Sequence, residues 1–474
     1  MSEDTRAADA AHGLFRQGVA NMAAGEQEAA LMAFRQVLAA DPALLEAHVN
    51  LGLLLADSDA AQAERHYRAA VDLDPWRLEP RLHLGALLAA AKRFEEAELQ
   101  YRHALILEPE SAAALSNLGV LLACTGRERE AAACYRAAIA AAPDFQSARF
   151  NLSYLLLRDG DYAAGWRAFE GRPWYAQLDA WFGLPRWDGQ DLAGKALLIG
   201  IEAGHGDMIQ FCRYAALAKQ GGAARVGIVC HAGLARLFAT LDGVDAVFAH
   251  DRAAAEGWSG WDSWIAPLSM PLRFGTLLDT IPAALPYLRA DPGDLARLRP
   301  ALGAGDGIKV GLAWQGNPRF ENDADRSIAA LATLAPLAQA GGADGAEGAR
   351  FFSLQLGAGE LARLDAGARA CFPGLTDLAP HIGDFADTAA LIECLDLVIT
   401  VDTAVAHLAG ALGKPCWVLL PAHKTDWRWL KEREDSPWYP GAVRLFRQAG
   451  EGGNGWDGVI AAVALALRQR IGAR

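Results

Sequence analysis

Cysteine, methionine and long apolar runs are scarce in this chain of 474 residues. It has seven cysteines, five methionines and no run of about 18 uncharged apolar residues. The missing apolar run argues against a membrane span. The start, MSEDTRAADAAHG, lacks the basic and then apolar layout of a secretion signal, so we expect a cytoplasmic protein. The scattered cysteines form no C-x-x-C pair, and we expect reduced thiols in the core rather than disulfides or zinc ligands. These cysteines are Cys124, Cys134, Cys212, Cys230, Cys371, Cys394 and Cys416.

Positive charge is also in deficit, since 44 Lys and Arg stand against 57 Asp and Glu, a net charge of −13. Such a surface repels phosphate backbones and disfavours a primary nucleic-acid binder. Hydrophobic residues make up 52% of the chain, which excludes intrinsic disorder. The length predicts about three domains.

The first third repeats itself with a period of 33 or 34 residues. Triplets like N-L-G end at Gly52, Gly85, Gly119 and Ser153, and a pattern of Ala-x3-aromatic keeps the same spacing. This resembles the tetratricopeptide repeat, which is a pair of antiparallel helices. Gly and Ala let the helices approach, and we expect the aromatic residue to fill the gap against the next unit. We predict a repeat array at 1–171, followed by a tryptophan-rich linker at 172–194 that packs against the next domain.

From Lys195 onward, apolar runs of strand length alternate with helical stretches. This alternation predicts parallel sheets with crossover helices. A Pro- and Gly-rich join near 291–307 divides it into two Rossmann-like lobes with a cleft between them. The predicted fold class is thus an α-solenoid followed by a two-lobed α/β region, with lobes at 195–305 and 306–474.

The segment EAGHGD, 202–207, follows the strand ALLIGI and precedes a helix. Gly204 and Gly206 permit a tight turn at the carboxyl end of the sheet, where ligands bind in such folds. Asp207 is then either an N-terminal helix cap or a general base facing an acceptor hydroxyl. His205 is a competing base, because its ordinary pKa lies nearer neutrality.

A second strand ends at Asp402 and leads into a helix whose first amides belong to Thr403, Ala404 and Val405. Free amides and the helix dipole suit such a start to a diphosphate. His407 lies one turn beyond Thr403 on the same helix face. The alternative is a capped core helix in which His407 is satisfied internally.

Polar side chains also follow other strands of the second lobe. Trp314 and Asn317 end the strand KVGLAW, Gln355 ends RFFSLQL, and Arg326 could neutralise phosphate. The pair Asp323-x-Asp325 is interpreted as a solvated loop rather than a metal site. Further on, the tryptophans and basic residues of 423–440 are either a phosphate and ring-stacking platform or structural packing. They are Lys424, Trp427, Arg428 and Trp429.

Residues 185–448 resemble the GT-B glycosyltransferases related to the ADP-heptose lipopolysaccharide heptosyltransferases. The whole chain resembles bacterial fusions of tetratricopeptide repeats to such a domain, including flagellin glycosyltransferases of α-proteobacteria. The resemblance is carried by EAGHGDMIQFCRY, VGLAWQGNP, NDADRSI, FFSLQLG, DTAVAHLAGALGKPCWVLLP, DWRWL and SPWYP. In that family the Gly-Asp after the first strand supplies the catalytic Asp, which Asp207 matches. This chain departs at Ala404, where the family has Gly, and at His205, where the fusions usually have Leu.

The resemblance implies transfer of a sugar from a nucleotide-sugar to a hydroxyl, with inversion and without a metal or other cofactor. Asp207 is the expected base, with His205 as the competing candidate, and the N-terminal lobe takes the acceptor. The predicted donor-binding residues are Asp402, Thr403, Ala404, His407, Arg326, Trp314, Asn317, Gln355 and Lys424. The predicted acceptor-binding residues are Gln210 and, on the concave repeat face, Asn50, Asn117 and Asn151. The acceptor is a protein, with flagellin suggested by the family. A lipid-linked or polysaccharide acceptor and a non-catalytic repeat scaffold are the alternatives.

Overall fold

The computed structural model describes residues 3–251, 257–320, 322–341, 348–356, 370–422, 424–449 and 455–473. The chain divides into two compact units, Met1–Leu152 and Ser153–Arg474. In the described residues no helix is long and apolar enough to cross a membrane.

The first unit is built of helical hairpins. Its helices are α1 (Glu3–Ala23), α2 (Gln27–Ala40), α3 (Leu45–Leu55), α4 (Ala60–Leu73), α5 (Leu78–Ala90), α6 (Phe94–Leu107), α7 (Ala112–Cys124), α8 (Glu128–Ala141) and the start of α9 (Gln146–Arg158). Consecutive helices pack in pairs, α1 on α2, α3 on α4, α5 on α6 and α7 on α8. The 34-residue period therefore corresponds to one helical hairpin.

Each repeated glycine lies against the repeated tyrosine of its own hairpin. A Cβ atom on Gly52 would lie 2.4 Å from Tyr67 Cε1, and one on Gly85 would lie 2.5 Å from Tyr101 Cε1. The sequence predicted that the aromatic ring packs against the next repeat. The structure shows that the ring also fills the space inside its own hairpin. Tyr67 does both, since its ring stacks on His83 of α5 with centroids 5.5 Å apart.

The second unit contains two parallel sheets and the helices that connect their strands. Its helices are the end of α9, then α10 (Tyr162–Phe169), α11 (Tyr175–Phe182), α12 (His205–Phe211), α13 (Tyr214–Gln220), α14 (Ala235–Phe238), α15 (Met270–Arg273), α16 (Pro292–Leu298), α17 (Asp323–Arg326), α18 (Ala335–Ala340), α19 (Phe385–Glu393), α20 (Ala404–Ala411) and α21 (Trp456–Gly472). Short 3-10 helices lie at Ala232–Leu234, Pro267–Ser269, Arg299–Leu302, Leu331–Leu334, Ala379–His381 and Trp427–Trp429.

The first sheet has the strand order β3-β2-β1-β4 and the second has β10-β9-β8-β5-β6-β7. The strands are β1 (Ala196–Ile199), β2 (Arg225–Cys230), β3 (Ala246–Ala249), β4 (Ser263–Ile265), β5 (Ile308–Ala313), β6 (Ala349–Ser353), β7 (Thr376–Asp377), β8 (Leu397–Val401), β9 (Cys416–Leu420) and β10 (Val443–Arg447). Every pairing between these strands is parallel. The strand β8, LVITV, is buried along its whole length, as expected for a central parallel strand covered on both faces.

Helix α10 belongs to the second unit, although the sequence pattern extended the repeat array to residue 171. Trp166 Nε1 donates to the Thr276 carbonyl at 2.9 Å, and Trp438 Nε1 donates to the Tyr162 hydroxyl at 3.0 Å. In the tryptophan-rich segment after α10, the Phe182 ring stacks on Trp264 of β4 with centroids 4.4 Å apart. Large aromatic side chains thus attach these helices to the α/β core.

The cysteines are all free thiols. Cys212, Cys230 and Cys416 are buried, and burial raises the pKa of each thiol. The expectation of core residues is wrong for Cys371, which is exposed, and Cys124, Cys134 and Cys394 are only partly buried.

Candidate functional site

A cavity of about 890 Å³ lies in the second unit, where the strands of both sheets end. It is lined by the segments that follow β1, β5, β6 and β8, together with side chains from α9, α10, α19 and the segment after β9. The carboxyl ends of parallel strands are where ligands bind in such folds. Asp207 and Thr403, which the sequence predicted to face one gap, both line it.

The turn after β1 presents Asp207 at the start of α12. Its Oδ2 accepts a hydrogen bond from the Gly204 amide at 2.9 Å, so Asp207 does cap this helix, as one of its two interpretations required. Its Oδ1 accepts from Arg428 Nη2. Since capping uses one oxygen and the ion pair the other, the carboxylate is fixed in orientation at the edge of the cavity.

Arg428 is almost fully buried and binds several partners. It donates from Nη1 to both oxygens of Asp426 at 3.0 Å and from Nε to Gln210 Oε1, and its guanidinium lies 4.3 Å from the Trp427 ring centroid. Burial alone would lower the pKa of Arg428, but the carboxylates of Asp426 and Asp207 raise it above its ordinary value. The guanidinium therefore stays charged.

This network corrects the assignment of Gln210. Its side chain is fully buried beneath Arg428 and does not line the cavity, so an acceptor in the cavity does not reach it. Gln210 instead accepts a hydrogen bond from the Arg428 guanidinium, which in turn donates to Asp207.

His205 lines the cavity but is stacked between two rings. Its ring centroid lies 4.3 Å from that of His231 and 5.1 Å from that of Phe385. Burial, and then the neighbouring His231, lower the pKa of His205 to about 4. The imidazole is therefore neutral at physiological pH.

Thr403 is the N-cap residue of α20, and its Oγ1 accepts from the Val405 amide at 3.3 Å. The adjoining Asp402 also lines the cavity. Burial, and then the nearby carboxylate of Asp426, raise the pKa of Asp402 to about 7 against the opposing charge of Arg326. Near neutral pH a large fraction of Asp402 is thus a neutral carboxylic acid that can donate a hydrogen bond.

His407 is satisfied internally and also borders the cavity. Its Nδ1 is 2.8 Å from the Tyr439 hydroxyl, and its ring stacks on Trp429 with centroids 5.3 Å apart. Burial, with the charge of Arg428 next in importance, lowers the pKa of His407, so the ring is neutral. A Cβ on Gly206 would lie only 2.9 Å from His407 Cδ2, so α12 and α20 meet closely at this point.

The loop after β5 is held by Gln355. The Gln355 Oε1 atom accepts from the amides of Trp314 and Gln315 at 3.1 and 3.0 Å, and its Nε2 donates to the Gln315 carbonyl at 3.2 Å. Gln355 therefore positions this part of the cavity wall. Asn317 and Arg326 also line the cavity, with Arg326 Nε bonded to Asp323 at 3.2 Å.

Some predicted residues are not brought to the cavity. The Trp314 ring is in the hydrophobic core of the second sheet with Leu312 and Ile328, so it does not contact a ligand. Lys424 is exposed and 3.9 Å from Asp325 rather than in the cavity lining. Asn50, Asn117 and Asn151 were predicted for the repeat face rather than for the cavity, and they lie half-buried on α3, α7 and α9 of the first unit. Among the described residues no three His, Cys, Asp or Glu side chains form a group that could hold a metal.

The sequence reasoning missed several parts of the lining, of which an aromatic cluster is one. Tyr154, Phe169 and Trp174, here called the aromatic wall, line the cavity from α9, α10 and the N-cap of α11. It also missed Asp426, two positions before Arg428 in DWRW. A carboxylate so close to a buried arginine was the available signal for an ion pair.

Comparison with known proteins bears on this unit and on the whole chain. Residues 351–426 match the family described as glycosyltransferase family 9 (heptosyltransferase). Protein FlbA of Caulobacter vibrioides is 31% identical over an alignment of 337 positions that covers 66% of this chain and 53% of FlbA, so the chain matches about half the length of this curated relative.

Solved structures resemble about a third of the chain. One is pilF of Pseudomonas aeruginosa, 22% identical, covering 36% of this chain and 80% of that one at a TM-score of 0.33. Another is a thermophilic TPR protein of Thermus thermophilus, 23% identical, covering 36% and 95% at a TM-score of 0.32.

Proposed function

We propose that this chain is a fusion of tetratricopeptide repeats and a glycosyltransferase family 9 domain, and that it transfers a sugar from a nucleotide-sugar donor to an acceptor hydroxyl. The observation that carries the proposal is that Asp207 and the start of α20 at Thr403 line one cavity. Sugar transfer needs a base at the acceptor and a stabilised leaving diphosphate, and these two groups are of the required kinds.

Asp207 is the proposed base. Its carboxylate is held in one orientation by Gly204 and Arg428, which favours a defined proton transfer. His205 is the second candidate, although its ring is stacked between those of His231 and Phe385.

The donor diphosphate is proposed to lie at Thr403 and Ala404, with Arg326 adding positive charge. Amides at a helix start and the helix dipole attract an anion. The raised pKa of Asp402 fits this place, because a neutral carboxyl donates a hydrogen bond to phosphate where an ionised one would repel it. Asn317 and His407 are proposed to contact the donor from either side.

The fold and stereochemistry follow as further proposals. The two parallel sheets, whose strand ends border one cavity, suit a GT-B arrangement with the donor at the second sheet. A single base beside the acceptor suits inversion in one displacement. Positive charge from Arg326 and the α20 start is the protein's own means of stabilising the leaving diphosphate, which suits a reaction without a metal.

The proposed acceptor is a hydroxyl of a protein, with a flagellin-like protein as the candidate that the family resemblance suggests. The repeats would recruit it through Asn50, Asn117 and Asn151. A curved array of helical hairpins suits an extended polypeptide, because successive repeats offer equivalent side chains at regular intervals.

The test is hydrolysis of a panel of nucleotide-sugars by the whole chain, followed by transfer to a protein acceptor. Asp207→Asn should abolish transfer and leave nucleotide binding largely intact, whereas His205→Ala should retain transfer. Replacing Asn50, Asn117 and Asn151 together by Ala should lose transfer to protein and keep donor hydrolysis. Absence of both hydrolysis and nucleotide binding would identify a repeat scaffold instead, and transfer only to a lipid-linked sugar would refute the protein acceptor.

A further inference from the structure

The aromatic wall borders the cavity on the Asp207 side. Tyr154 leaves 39% of its surface exposed, and its ring centroid is 6.0 Å from that of Phe169, which is buried behind it. The Phe169 ring contacts that of Trp427, which adjoins Arg428 in the sequence, and Arg428 binds Asp207. The wall therefore lies on the side where the acceptor hydroxyl would approach the base.

The wall is held rigidly by buried polar contacts. Trp174 Nε1 donates to Glu202 Oε1 at 2.9 Å, and the same oxygen accepts from the fully buried Arg172 Nε at 2.6 Å. Glu202 opens the turn that carries Asp207. Phe169 contacts Trp427, the neighbour of Arg428, with ring centroids 6.1 Å apart. Both ends of the wall are therefore attached to the segments that fix the proposed base.

The chemistry of the wall is apolar. Phe169 has no polar side-chain atom, and the N–H group of Trp174 is already taken by Glu202. Ring faces offer burial and edge or face contacts, and in the protein acceptor proposed above the groups that use such faces are apolar and aromatic side chains.

We propose that the aromatic wall is an acceptor subsite, which takes an apolar or aromatic side chain next to the modified Ser or Thr of a polypeptide. This inference rests on the proposed function and adds to it the substrate class of its acceptor side. Tyr154 is the specificity-determining residue, because it is the exposed ring of the three.

The experiment compares two synthetic peptides as acceptors. Each is incubated with the whole chain and with the nucleotide-sugar that the chain hydrolyses. Both carry one Ser, flanked on each side by Phe in one peptide and by Asn in the other. We expect the Phe peptide to have at least a ten-fold higher kcat/KM. Tyr154→Ala should raise the KM for the Phe peptide about five-fold, as loss of an aromatic contact of about 1 kcal/mol implies, and Tyr154→Phe should restore it. Donor hydrolysis is measured in both variants, so that a change in the KM for the peptide is distinguished from a loss of the donor site.

Two further variants locate the effect. Leu465→Ala removes an exposed apolar side chain from α21 and should leave both KM values unchanged. Phe320→Ala removes a ring that lies 4.4 Å from the Arg326 guanidinium and should raise the donor KM instead.

The proposal is overturned if the two peptides have equal kcat/KM, or if Tyr154→Ala leaves the KM for the Phe peptide unchanged. It is also overturned if Tyr154→Ala changes only the KM for a glycan acceptor. Absence of nucleotide-sugar hydrolysis in the unmodified chain would instead refute the proposed function, which separates the two failures.

Discussion

Arg428 donates a hydrogen bond from Nη2 to Oδ1 of Asp207, although the two residues are 221 positions apart in the sequence. The same guanidinium binds Asp426, so one buried cation lies between two carboxylates. It joins the turn after β1 of the first sheet to the segment after β9 of the second. The orientation of the proposed base therefore depends on a residue contributed by the other half of the α/β unit.

Replacing Arg428 by Gln should lower the free energy of unfolding by about 3 kcal/mol. Loss of one member of a buried ion pair costs several kcal/mol, and the lower part of that range applies because Asp207 and Asp426 keep 24% and 25% of their side chains exposed. Urea unfolding followed by circular dichroism measures the change. Arg444→Gln is the control, since Arg444 is 48% exposed and 3.7 Å from Glu434.

The double variant Arg428→Gln, Asp207→Asn should recover part of that loss, because it no longer leaves the Asp207 charge without its cation. Equal unfolding free energies for Arg428→Gln and Arg444→Gln would show that the network is not stabilising.

The residues at the strand ends could be predicted from the sequence to lie together, because one rule on parallel sheets applies to all of them. Asp207, Thr403, Asn317 and Arg326 each follow a short apolar run, and in parallel sheets the segments after such runs meet at one edge. The cavity lining confirms that these residues lie together. Their roles in catalysis and binding stay predictions.

The same rule could not predict which way a side chain points within a helix or at the end of a strand. Trp314 is one residue past β5, and a shift of one position in a strand decides between core and cavity. Gln210 lies three residues after Asp207 on α12, yet its side chain is buried. The aromatic wall was missed because Tyr154 and Phe169 belong to segments that the 34-residue pattern assigned to the repeats, and only tertiary contacts show that they border the cavity.

Asp402 should make stability fall as the pH rises from about 4 to 7. Its pKa is raised to about 7 in the folded chain from an ordinary value of 3.8, so the folded state retains a proton that the unfolded state loses over this range. The stabilisation is therefore complete below the unfolded pKa and is lost as the pH passes through the folded pKa, at about 1.4 kcal/mol per pH unit at most. Asp402→Asn removes this contribution.

The measurement is the difference in unfolding free energy between the unmodified chain and Asp402→Asn, from urea titrations at pH 4.5, 6 and 7.5. The difference is needed because His205 acts in the opposite sense. Its pKa is lowered to about 4 from 6.5, so its stabilisation is lost as the pH falls through that window. A difference that is constant with pH would contradict the raised pKa of Asp402.

Gly206→Ala should destabilise the contact between α12 and α20. The added Cβ would lie 2.9 Å from His407 Cδ2, closer than the packed helices allow without a shift. We expect a loss of about 1–3 kcal/mol, typical of overpacking. Gly458→Ala is the matched control in α21, where nothing lies within 4 Å of the added Cβ, and it should stabilise by about 0.5–1 kcal/mol. Losses of equal size at both positions would argue against a specific close approach at Gly206.

The repeat unit carries an ion-pair network that recurs with the period of the hairpins. Glu64 binds Arg68 of its own helix and Arg93 at the start of α6, and 34 residues later Glu98 binds Arg102 and Arg127 in the same way. Each acidic residue thus links neighbouring hairpins. Glu64→Gln should lower the thermal midpoint of the helical signal in 20 mM NaCl, and the loss should shrink in 1 M NaCl, because salt screens partly exposed pairs.

Glu46→Gln is the control for this last prediction, since Glu46 contacts Arg77 at 3.6 Å in a single exposed pair and should respond little at either salt concentration. The double variant Glu64→Gln, Glu98→Gln should lose about the sum of the single losses, because the two networks share no residue. A Glu64→Gln midpoint that is unchanged at low salt, or a loss that is the same in 1 M NaCl, would show that the repeated glycine–tyrosine contacts hold the hairpins together without help from these charges.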